Sequence, residues 1–156
     1  MQNCIYPAVS RVYTGAYAVC REIAAIIYPQ IPALLASGVR DFDFGDFNGR
    51  SRDEMISSPE FEKWAKSTDI VPFPGGEPPY VTTALNIKEF SEIINDLEHS
   101  NADRAAVIIP KSVIFIILNR YLSWGNGYGG IMIAAGGGCV CAYDTGAGSM
   151  RLLKII

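Results

Sequence analysis

A single histidine, His99, stands in the 156 residues, so a mechanism that needs two imidazoles is excluded. Long apolar runs are also scarce. The longest, residues 105–118 (AAVIIPKSVIFIIL), is interrupted by Pro110 and Lys111 and falls short of the roughly 20 residues a membrane-spanning helix requires. No charge of one sign dominates: 13 Lys and Arg stand against 16 Asp and Glu, for a net charge of −3. The cations are scattered, so the electrostatic footprint of a nucleic-acid binder is missing. The opening MQNCIYPAVS has neither a basic start nor a long apolar run; no secretory signal is expected, and a cytoplasmic location follows. There is no C-x-x-C among the four cysteines Cys4, Cys20, Cys139 and Cys141. Cys139 and Cys141 would share one face of a strand and could ligate a metal. Free buried thiols are the commoner condition in a cytosolic chain, so neither metal nor cofactor is expected. What the chain does have is 49% apolar and 19% charged residues, too apolar for disorder and enough for one compact domain over residues 1–156.

Residues 11–14 (RVYT) read as a short strand, after which Cys20, Ile23, Ala24 and Ile27 recur at helical spacing until Pro29. Residues 39–47 (VRDFDFGDF) alternate aromatic and acidic side chains, which predicts an extended segment that gathers Asp41, Asp43 and Asp46. Ser51 with Glu54 has capping-box spacing, and Ser58 before Pro59 offers a second helix start. Residues 71–79 (VPFPGGEPP) hold four prolines and two glycines, an irregular surface connection long enough to act as a lid. Ile87, Phe90, Ile93, Ile94 and Leu97 then form one stripe of an amphipathic helix. The run 105–109 suits a strand buried on both faces of a parallel sheet, with a helix over 112–124 behind it. Residues 139–143 and 150–155 flank the turn DTGAGS and close the chain in a hairpin. Strands alternating with helices predict an α/β layered fold.

Three motifs have plainer readings. GNGYGG at 125–130 matches G-x-G-x-x-G, yet it follows a helix instead of a strand, so a flexible loop is preferred to a phosphate cradle. DTG at 144–146 copies the aspartic-protease tripeptide with only ten residues after it, which favours a hairpin turn. His99 falls in the polar link that feeds the amino end of the 105–109 strand, whereas ligands in open α/β sheets bind beyond the carboxyl ends; a solvated loop residue is expected.

The order and wording of these segments resemble the histidine phosphatase superfamily, the phosphoglycerate mutase-like proteins, and most of all its alpha-ribazole phosphatase type branch. RVYTGAYAVCREIAAIIYP is similar to that family's V-Y-T-S-P-L-x-R-x-x-x-T-A segment, and VRDFDFGDFNGRSRDEM to its L-R-E-x-D-F-G-x-x-E-G segment. FPGGEPPYV resembles the P-G-G-E-S loop, ADRAAVIIPKSVIFIIL takes the place of V-x-V-V-T-H-G-G-V-I-R, and CVCAYD with RLLKII resembles the closing hairpin. The resemblance implies a three-layer α/β sandwich, a mixed and mostly parallel sheet with a C-terminal hairpin. It also implies departures. The family's Arg-His-Gly strand and its helix would precede Arg11 and are read as missing, which leaves a gap between the strands beginning at Arg11 and Ala105 and exposes edges that residues 4–8 or another chain would cover.

Further departures lie inside the matched segments. The family's second histidine falls at Pro110, its following glycines at Lys111 and Ser112, and its pocket arginine at Val19. Only the acid position survives in kind, with Asp41 where the family carries its glutamate proton donor. Lys111, at a strand end and helix start, is the one cation placed to hold a phosphate or another small anion. The chemistry asks for an imidazole nucleophile and cations around the phosphoryl oxygens, and the resemblance supplies neither. The expectation is a degenerate, non-catalytic relative that acts by binding or association, as a homodimer or with a paralogue. The alternative is a phosphomonoester hydrolase acting on a small phosphorylated metabolite, with Asp41 or Glu77 as its acid.

Overall fold

The computed structural model describes residues 6–66, 72–122 and 131–156. Strand β1 (Arg11–Gly15) leads into helix α1 (Ala18–Ile27) and strand β2 (Ala33–Ala36). A short 3-10 turn (Gly45–Phe47), α2 (Arg52–Ile56), α3 (Pro59–Ala65) and the long α4 (Pro79–His99) follow. Strand β3 (Ala105–Ile108), α5 (Lys111–Tyr121) and the hairpin of β4 (Cys139–Asp144) and β5 (Ser149–Ile155) complete the chain.

Strands β2, β1 and β3 form a parallel sheet in the order β2-β1-β3, and β4 with β5 forms a separate antiparallel pair. The connection from β1 to β2 steps one way across the sheet and that from β2 to β3 steps back the other way. Parallel crossovers are right-handed, so the two connections put α1 and α4 on opposite faces. The residue pattern agrees. Tyr13 joins a core cluster with Phe90 and Ile93 of α4 and Val113, Ile117 and Tyr121 of α5, while its neighbours Val12 and Thr14, both fully buried, point away from that cluster. Alternating side chains on the central strand thus serve two helical layers. The phenol of Tyr13 and the guanidinium of Arg11 both donate to the Asp96 carboxylate, fixing β1 to the last turns of α4.

Several expectations need correction. The strands beginning at Arg11 and Ala105 pair directly, with Val12 opposite Ala106 and Tyr13 opposite Val107, so no gap lies between them. The break lies beyond β3: among the described residues the hairpin is a sheet of its own, and Leu122 forms an isolated bridge to Met150. Accordingly all four residues of β3 are half-buried, not enclosed on both faces. The extended segment expected over 39–47 is a loop ending in a 3-10 turn, and the strand falls at Ala33–Ala36 instead. His99 ends α4, exposed, with Nδ1–H donating to the Asn95 carbonyl at 2.7 Å. Cys4, Trp124 and the motif at 125–130 lie outside the described residues. Among the described residues no helix is long and apolar enough to cross a membrane.

Candidate functional site

The carboxyl ends of β1 and β3 and the start of α5 meet where an open α/β sheet places its ligands. A Cβ built on Gly15, the last residue of β1, would stand 3.2 Å from Val39 Cγ1 and 3.8 Å from Pro110 Cδ, so the strand end, the 39–47 loop and the cap of α5 are in contact. Asp41 sits in that loop. Its Oδ1 accepts from the Ser112 hydroxyl at 2.5 Å and from the Phe42 amide at 2.8 Å, while its own amide donates to the Tyr17 hydroxyl at 2.8 Å. The acid is therefore held by the first turn of α5 and by the residue that caps α1. Ser112 and Tyr17 carry no motif of their own in the sequence; only their position in the family-like segments pointed to this end of the sheet.

Lys111 opens α5 beside Ser112 and is exposed, its ammonium 5.9 Å from the centre of the Phe115 ring. Pro110 caps the helix without a side-chain hydrogen bond. Val19, in the first turn of α1, is 57% exposed. Pro110 and Val19, which the resemblance aligns with the family's second histidine and pocket arginine, carry neither a nucleophile nor a charge.

Of the expected trio of aspartates, Asp41 bonds to Ser112 while Asp43 and Asp46 lie against residues 75–77. Asp43 accepts from the Gly45 amide at 2.9 Å and Asn48 Nδ2 at 3.0 Å, and its acidity is raised first by the Gly45 amide, then by Asn48, with the Glu77 amide adding to both. The Asp46 amide donates to the Pro74 carbonyl at 2.8 Å. Gly45 adopts φ +53, and a Cβ there would meet Pro74 O at 2.2 Å, so glycine permits the two loops to touch. The Phe73 ring stacks on Trp64 at 4.3 Å and stands 5.1 Å from Phe44. Residues 72–78 thus pack against the 3-10 turn and α3.

Glu77 is likewise committed. It pairs with Arg40 at 2.5 Å and accepts from Thr82 Oγ1 at 2.9 Å. Below it, the fully buried Asn86 donates to the carbonyls of Arg40 and Thr82 and accepts from the Arg40 amide. Two hollows in the surface lie apart from this mouth. One of about 630 Å³ is lined by Tyr143, Met150 and Arg151, the other of about 340 Å³ by Tyr28, Pro29 and Ile31. Neither includes Asp41 or Lys111.

No curated protein matches the chain by sequence. Among solved structures the fold is similar to the crystal structure of the alpha-ribazole phosphatase from Shigella flexneri, with a TM-score of 0.73 and 11% identity over 94% of this chain and 72% of that one. It is similar also to the crystal structure of a putative alpha-ribazole-5'-P phosphatase from Escherichia coli, with a TM-score of 0.61 and 14% identity. There the match covers 75% of this chain and 58% of the other. At such identities the likeness speaks for the fold. The family profile of the histidine phosphatase superfamily (branch 1) matches residues 7–155, and with the strand, loop and helix order described above it follows that the chain belongs to the histidine phosphatase superfamily.

Proposed function

We propose that this chain is a member of the superfamily without phosphoryl-transfer activity, which works by association, with a second copy of itself as the partner. The observation that carries the reading is the composition of the mouth: Pro110 and Val19 stand where a nucleophilic or phosphate-binding partner and a pocket arginine are expected, and Asp41 is bonded to Ser112. These positions lie within the span matched by the family. Loss of a single donor to a developing oxyanion costs on the order of 10² to 10³ in rate. A phosphate dianion at this mouth would lie beside the Asp41 carboxyl group, which offers it no positive charge.

The test is hydrolysis of p-nitrophenyl phosphate and of a panel of sugar phosphates by the purified chain. Release at the rate of the buffer blank is expected. Turnover that disappears in Asp41→Asn would overturn the reading.

One arrangement favours the hydrolase instead. The Ser112 hydroxyl, hydrogen-bonded to a carboxylate at a helix start and beside Lys111, has the form of a nucleophile with its base. That reading requires Ser112→Ala and Asp41→Asn to abolish the same activity, and Ser112→Ala alone would separate it from contamination. Binding of a small anion through Lys111 makes a different forecast: phosphate or sulfate would raise the melting temperature of the wild type and leave Lys111→Ala unmoved.

A further inference from the structure

The mouth leaves unused a pair of thiols on the first strand of the hairpin. Cys139 and Cys141 occupy alternate positions of β4, so their side chains project from one face. Tyr143, next in that alternation, packs against Tyr121 and the core, which fixes the orientation of the whole row. Both thiols are free and half-buried, and they hydrogen-bond each other. The backbone that carries them is held on the other side of the ladder. Cys139 stands opposite Ile155 and Cys141 opposite Leu152, with a register shift between Val140 and Cys141. Just before Cys139, Gly138 and Ile156 exchange two backbone hydrogen bonds of 2.9 Å each. Two sulfurs are thereby kept in contact by strands that do not need to move.

We propose that Cys139 and Cys141 form a two-coordinate site for a soft monovalent cation of the Cu(I) type. Thiolates select soft ions, Cu(I) among them. A structural zinc site calls for four ligands in a tetrahedron, and among the described residues no group of three His, Cys, Asp or Glu is placed to hold a metal. A linear dithiolate complex asks for two sulfurs and nothing else. A disulfide suits the pair less well: successive same-face positions of a strand lie about 6.6 Å apart, at the far end of the Cα separations that disulfides span.

Binding balances without any redox change. The two S–H bonds break, two S–metal bonds form, and two protons leave to solvent for each cation taken up. The two thiols share one hydrogen bond. The cation then takes the place of the proton between the sulfurs.

The reduced chain, kept free of oxygen, is titrated with Cu(I) presented as its bicinchoninate complex, and separately with silver nitrate while proton release is followed with a pH indicator. The expected result is withdrawal of one Cu(I) per chain from the coloured chelate, with two protons released per silver ion. Cys139→Ser and Cys141→Ser lose this uptake, and Cys20→Ser keeps it. Independently of any variant, one equivalent of silver should slow N-ethylmaleimide labelling of Cys139 and Cys141 at least tenfold by peptide mapping. Failure of the wild type to compete with the chelate, or unchanged labelling of these two residues, overturns the proposal. So does equal protection by zinc.

Discussion

Asn86 is the residue on which the geometry of the mouth depends most directly. It is fully buried on α4, and its amide satisfies both backbone groups of Arg40 along with the Thr82 carbonyl. Asn86→Leu keeps the volume but leaves the Arg40 amide and carbonyl without those partners, and a buried polar group left unbonded costs about 1–3 kcal/mol. For a chain of this size each kcal/mol moves the melting temperature by roughly 2–4 °C; a loss of about 5 °C or more by calorimetry is expected, and a variant as stable as the wild type would remove the network from the account. Asp43 contributes to the response to acid. Its folded pKa lies below the ordinary carboxylate value because the Gly45 amide, Asn48 and the Glu77 amide all favour the charged form. A depressed carboxylate stabilises the fold above its unfolded pKa, near 4, and that contribution is lost as pH falls through the folded value. Urea midpoints measured from neutral pH downward should therefore fall less steeply in Asp43→Asn than in the wild type, and parallel curves would refute the assignment. Of these residues the sequence singled out Asp41 and Asp43 by alternation and by resemblance. Asn86 gave no signal, because a helical asparagine reads the same whether it faces solvent or a loop.

Elements were legible where the local chemistry is self-contained. Ser51 and Glu54 form both halves of the capping box that their spacing implies, and Ser58 caps α3 with Pro59 in its first turn. The failures share one physical cause. Residues 39–47 alternate as a strand does, yet their polar groups bond to residues 72–78 across a distant stretch of sequence. Strand β2, four residues of ALLA with three of them exposed, has no alternation to display. Tertiary partners decided both, and a period cannot report them. The aromatic contact of Phe73 with Trp64, Phe44 and Phe47 is what holds the two loops together. Phe73→Ala should speed amide exchange at Asp46 and Gly76, whose N–H groups bond to the Pro74 and Phe73 carbonyls, by about tenfold or more while the strands keep their protection. Unchanged exchange at both amides would show that the backbone bonds hold the loop unaided.

At the scale of the whole molecule, the question is what covers the sheet. Strand β2 has a ladder partner on one side only among the described residues, and the segment 29–38 (PQIPALLASG) that contains it carries no charge. Leu34 is 42% and Leu35 58% exposed, and Ile26 at the end of α1 is 78% exposed. Unpaired apolar edges are templates for another strand, and proteins that stay single usually blunt them with lysine or with a covering loop. Two copies related by a twofold axis offer each other the same neutral edge, so β2 can meet β2 antiparallel and extend the sheet through both chains. Light scattering after size exclusion should then give twice 17.0 kDa at high concentration. Leu35→Lys, which places a charge on the edge without touching the buried Ala36, should return the chain to the monomer with its melting temperature unchanged or lowered only by the loss of association. A wild type that elutes and scatters as a monomer up to its solubility limit would sink self-association and with it the partner named for this fold.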